Sequence, residues 1–187
     1  MKLLLILLMT VTVTVSIFGE GLKLGTGFSY SAGEGAQTFF NRPKILIPIV
    51  MDNLRIEPEF GIFQNSYDRE DKKNGEDSSD ASVYLIDFAI GTYYSTVLID
   101  KKLDMFYGGK IGAILGKGTG RFKNDIEDSS FYYAGLSMGI EYKLLPKLTI
   151  SGDIGLNLTR YVDENEYRKY TNHFILTTST ISVRWYY

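Results

Sequence analysis

The 187-residue sequence contains no cysteine. That excludes a disulfide framework and a lipid-modified N-terminal cysteine. Its single histidine, His173, is the sole candidate for any histidine-based catalysis. Basic charge is not in excess, since 20 Lys and Arg stand against 22 Asp and Glu, for a net charge of −2. With no basic patch carrying interleaved aromatics, a nucleic-acid partner is not expected. Past residue 20 no apolar run approaches the roughly 20 residues that a transmembrane helix needs.

The first 19 residues, MKLLLILLMTVTVTVSIFG, differ from the rest. One basic residue, an apolar stretch and the small residues Ser16 and Gly19 form the pattern of a secretory signal peptide, cut after position 16 or 19. An uncleaved membrane helix is the alternative, weakened by the short apolar stretch and its three Thr-Val pairs. Residues 20–187 are then one exported domain.

What the sequence has is aromatic and glycine content: Tyr 14, Phe 11 and Gly 19, a composition suited to strands. Alternating runs separated by turn signals place strands near 21–32, 44–51, 54–67, 82–99, 102–117, 130–144, 148–161 and 173–187. Eight is an even number, and the connections alternate in kind. Three are tight, at 52–53, 100–102 and 145–147. Four are long and polar: GEGAQTFFNR, DREDKKNGEDSSD, KGTGRFKNDIEDS and YVDENEYRKYTN. Such sorting fits an up-and-down transmembrane barrel, with long loops at one end and short turns at the other.

Side chains alternate across a strand, so each strand supplies two lists. In 132–144, Tyr132, Ala134, Leu136, Met138, Ile140, Tyr142 and Leu144 oppose Tyr133, Gly135, Ser137, Gly139, Glu141 and Lys143. In the last strand, Ile181, Val183, Trp185 and Tyr187 oppose Ser182, Arg184 and Tyr186. The hairpins supply an independent test, because cross-strand partners share a face. A turn at Asp52-Asn53 pairs Met51 with Leu54, Ile49 with Ile56 and Ile47 with Pro58. A loop at 145–147 pairs Leu144 with Leu148, Tyr142 with Ile150 and Met138 with Ile154. A turn at Asp100-Lys101 pairs Leu98 with Leu103 and Ile90 with Ile111. All these pairs are apolar.

The other face is rich in glycine and carries Lys23, Arg55, Glu57, Glu59, Asp87, Asp104, Lys110, Glu141, Lys143, Asp153 and Arg184. A lipocalin-like barrel or a two-sheet sandwich would turn the apolar face inward. Against both stand the aromatics: Tyr30, Tyr84, Phe131 and Tyr132 lie near loop ends, and Tyr142, Trp185 and Tyr187 near turn ends. Rings at both ends of an apolar band match the girdles of a membrane barrel. The fold expected is therefore all-β, an eight-stranded antiparallel up-and-down transmembrane barrel.

At this point the sequence resembles the small eight-stranded outer-membrane barrels of the OmpX and OmpA transmembrane-domain type. The alternating apolar residues Ile181, Val183, Trp185 and Tyr187 look like that family's C-terminal assembly signal, although many members end in Phe where this chain has Tyr187. The segment RIEPEFG also looks like their second hairpin. The resemblance implies recognition by the barrel assembly machinery, outer-membrane lipid and lipopolysaccharide as surroundings, periplasmic termini, extracellular loops with an unidentified partner, and a monomer without cofactor.

Eight strands enclose a lumen that side chains fill, so its charges are expected to pair into a plug. An open pore would need more strands. Pro48 and Pro58 fall inside strands, where bulges or non-hydrogen-bonded positions are expected. Outer-membrane lipid A deacylases resemble this chain at the level of a lipid-facing histidine, but they carry His-x-Ser, and here Ile175 stands at the serine's place. No enzyme activity is expected, and His173 reads as a rim residue. The acids of 68–80 lack calcium-loop spacing, and GKGTGR at 116–121 lacks the ending and the helix of a phosphate loop.

Overall fold

The computed structural model describes residues 21–32, 42–67, 81–100, 102–118, 130–165 and 168–187. The expected signal peptide and most of the first three long loops lie outside the described residues. The strands are β1 (Leu22–Ala32), β2 (Pro43–Leu46), β3 (Ile49–Met51), β4 (Leu54–Tyr67), β5 (Ala81–Ile99), β6 (Leu103–Gly118), β7 (Ser130–Leu145), β8 (Leu148–Asn165) and β9 (Arg168–Tyr186). Every pairing is antiparallel; β2 and β3 both lie between β1 and β4, each later strand pairs with the next in sequence, and β9 pairs with β1 to close the ring.

The segments β2 and β3 are two halves of one stave. Gly27 opposite Leu46 and Leu24 opposite Ile49 keep one register across the break, as do Ile45 opposite Phe60 and Ile49 opposite Ile56. Pro48 causes the break, and neither it nor Pro58 sits at a bulge or a non-hydrogen-bonded position as expected. Both occupy hydrogen-bonded pairs. Gly25 N–H donates to the Pro48 carbonyl and Ile47 N–H to the Pro58 carbonyl, each at 2.9 Å. A proline has no N–H to return, so each pair keeps one bond of two.

Following paired residues from Leu22 through Met51, Leu54, Tyr94, Tyr107, Met138, Ile154 and Ser179 returns to β1 at Ala32, ten residues further on. With strand spacing near 4.8 Å and a rise near 3.3 Å, that stagger tilts eight staves by about 40°.

The three tight turns fall where expected, but two close differently. At the first, Asp52 takes a positive φ of 52°, and Met51 opposes Leu54. At the second, Ile99, not Leu98, opposes Leu103, because a Lys102 N–H to Ile99 carbonyl bond of 2.9 Å closes a turn over 99–102. At the third, Leu145, not Leu144, opposes Leu148. Pro146 suits the first central position of a two-residue turn, which makes 145 and 148 the closing pair. Leu98 and Leu144 are thus the extra residues of bulges. Consequently Val97, Leu98 and Ile99, and likewise Leu144 and Leu145, all lie exposed.

The fourth long loop is not a loop. Strands β8 and β9 run on as a ribbon until Asn165 opposes Arg168. The run YVDENEYRKYTN reads as loop because it lacks apolar alternation, but two strands that pair with each other need none beyond the barrel wall.

Candidate functional site

The faces fall as alternation requires. Bulky apolar side chains cover the outside: Phe28, Phe60, Ile62, Phe88, Ile111, Leu136, Ile154, Leu158 and Ile181 are all exposed, with Leu136 at 73%. The inside holds Arg55, Glu57, Glu59, Asp87, Glu141 and Arg184, of which Glu57 is 1% and Asp87 0% exposed. A chain that exposes so much contiguous apolar surface and buries its charges is inverted relative to a soluble protein.

The lumen is built in three levels. Nearest the turns, the Arg184 guanidinium grips Glu57 through Nε to Oε2 at 2.5 Å and Nη2 to Oε1 at 2.9 Å. Its Nη1 donates to Ser151 Oγ at 2.6 Å and reaches Glu141 Oε2 at 3.3 Å. Arg55 pairs with that same Glu141 oxygen and lies over the rings of Phe106 and Tyr93, at 4.7 and 5.0 Å from their centroids. Fork-to-fork pairing of this kind gives both direction and charge-assisted strength.

One level up, Lys44 Nζ lies 2.9 Å from Asp87 Oδ2 and 3.3 Å from Glu59 Oε2, while Lys110 Nζ lies 3.2 Å from Glu59 Oε1. The Tyr133 hydroxyl donates to Asp87 Oδ1 at 3.0 Å. At the loop end an apolar cap of Val83, Leu85, Ile114, Phe131 and Leu176 closes the level above, with Phe63, Tyr161 and Phe174 packed against it.

Inward glycines make room for inward rings. A Cβ on Gly91 would sit 2.5 Å from the Tyr93 ring, and one on Gly112 2.5 Å from the Tyr133 ring. The glycine-rich inner face is the complement of two aromatic residues that alternation turns inward.

Of the charged residues expected in the lumen, most meet there. Asp104 opposes Glu141 across the β6–β7 pair but takes Lys143 as its ion partner, at 2.7 Å. Asp153 is half-buried between β7 and β9, and Lys23 is exposed at the turn end, outside both clusters. Sequence reasoning missed Lys44 and Arg42. Lys44 shares the parity of Leu46 and Pro48, so the alternation that placed its neighbours could have placed it. Arg42 is buried beside Phe63, 6.0 Å from its ring centroid. His173 is exposed and opposes Arg160, and Ile175 beside it is exposed too.

This chain is similar in structure to neisserial surface protein A, with a TM-score of 0.52, 12% identity, and coverage of 89% of this chain and 97% of that one. The fold is that of the small outer-membrane barrels. Outer membrane protein H of P. aeruginosa matches with a TM-score of 0.51 at 13% identity over 90% of this chain and 100% of the other. Outer membrane protein AlkL matches with a TM-score of 0.53 at 12% identity, over 91% and 92%. No family model matches the sequence, and no curated protein does. The eight staves of the barrel, the broken one counted once, agree in number with these neighbours.

Proposed function

We propose that the chain is an integral outer-membrane barrel whose lumen is closed, and that it acts as a structural, adhesive or surface-interaction protein through its loop end. The observation that carries this reading is the pairing of an outward apolar band with a lumen filled by two ion clusters and an apolar cap. Exposed apolar surface on that scale is stable in hydrocarbon, and charges buried in mutual contact need no water path.

Residues 1–19 direct export, the turns and both termini face the periplasm, and the loops and the β8–β9 ribbon face outward. Ile181, Val183, Trp185 and Tyr187 form the signal that the assembly machinery reads. The backbone supports a role for this end in closure: Tyr187 N–H donates to the Leu24 carbonyl at 2.9 Å, tying the segment to β1 across the closing seam. The protein works as a monomer without cofactor, amid lipopolysaccharide and lipid, and is not an enzyme.

Conductance tests the closed lumen. Purified protein in planar bilayers is expected to give no steady channel currents, whereas large stable openings of the intact barrel would refute the closed lumen. Cell fractionation with heat-modifiability on a gel tests the membrane assignment separately.

A further inference from the structure

On the outer face of β7, β8 and β9 the apolar wall is hollowed. A groove of about 490 Å³ lies between Met138, Ile140, Ile154 and Ile181, with Gly152 at its floor. Gly152 pairs with Ile140 and Ile181, both exposed, so its missing side chain is missing from the outside. A Cβ there would meet only the Thr180 carbonyl oxygen, at 4.0 Å.

Below the groove β8 continues through Ile150 and Leu148, both outward-facing, to the turn residue Lys147, which is exposed. Lys143 is taken by Asp104, but Lys147 has no ion pair among the described residues. Trp185, opposite Leu148, and Tyr142, opposite Ile150, stand at this level. Five residues of strand from Gly152 to Lys147 span about 16 Å, or about 13 Å of depth at a tilt of about 40°, which lies within half of a hydrocarbon core of about 30 Å. The groove therefore lies at acyl-chain depth when the ammonium lies at headgroup depth.

We propose that this face is a fixed site for one anionic phospholipid of the turn-end leaflet, its acyl chain in the Gly152 groove and its phosphate on Lys147. The site rests on the reading of the outward band as lipid-facing. Free basic charge at the headgroup level selects anionic lipid, and the flanking aromatic rings fix the depth.

The single tryptophan, Trp185, is a built-in reporter. The full chain is inserted into phosphatidylcholine bilayers holding the same small fraction of brominated phosphatidylglycerol or brominated phosphatidylcholine. Quenching of Trp185 by the brominated phosphatidylglycerol is expected to correspond to about fivefold enrichment beside the barrel. Lys147→Gln is expected to equalise the two lipids. Gly152→Leu, which projects into open space, is expected to abolish the excess quenching while leaving heat-modifiability unchanged. Equal quenching by both lipids in the parent, or a preference that persists in either variant, overturns the site. If neither lipid quenches, the membrane reading falls, and the site falls with it.

Discussion

The two ion clusters of the lumen use different cations for different spans. The turn-end cluster is built on arginine: Arg184 on β9 reaches Glu57 on β4 and Glu141 on β7, strands that are not its neighbours in the ring. It cross-braces the cylinder. The cluster above it is built on lysine and laces staves lying close together on one wall, with Lys44 on β2, Glu59 on β4, Asp87 on β5 and Lys110 on β6. Guanidinium is a planar fork that can hold two carboxylates at once, whereas ammonium is a compact charge that several acceptors can share. The lower cluster should therefore be brittle to the loss of one member and the upper one tolerant.

The largest effect should come from Arg184→Met, which leaves Glu57 and Glu141 buried with only Arg55 between them. It is expected to destabilise the barrel by about 3–5 kcal/mol, read as a fall in the urea midpoint in lipid. Arg184→Lys should restore only part, because the charge returns without the fork. Next comes the same cation on the opposite face: Leu136→Arg, outward in the middle of β7, should cost about 2–4 kcal/mol in refolding into bilayers. If it were harmless, the inside and outside assignments would be exchanged.

Lys44→Met should cost less than either, about 1–3 kcal/mol, since Asp87 keeps the Tyr133 hydroxyl and Glu59 keeps Lys110. A loss equal to that of Arg184→Met would erase the contrast between brace and lacing. Smallest of all is Tyr187→Phe. It removes an exposed 2.9 Å bond to Thr26 Oγ1 but keeps the ring, and the unfolding free energy obtained from urea titration should fall by less than about 1 kcal/mol.

The faces were legible in the sequence because a period of two leaves little freedom: once Leu136 points out, Glu141 points in. Closing pairs at the turns were not, because they depend on which residue takes the turn's dihedral angles. Alternation carries no mark of the extra residue at Leu98 or Leu144. The ribbon beyond Val162 was illegible for another reason, since apolar alternation records contact with a core or with lipid, and those residues pair only with each other. Arg42 was hidden by its position at the edge of a polar loop, where a charge reads as solvated. The prolines were flagged correctly as anomalies, yet the way the ring tolerates them depends on a carbonyl that still accepts after the N–H is gone.

The brace between Arg184 and Glu57 joins residues 127 apart in sequence. Such a bond cannot form early in assembly, since its two strands come together only when the first staves meet the last. Until then a partly closed sheet would have to carry unpaired arginines and glutamates toward hydrocarbon, at a free-energy cost that falls away when the ring shuts. Closure and entry into the bilayer are thereby made a single cooperative event, and a half-inserted intermediate is disfavoured by the same charges that later hold the finished wall together.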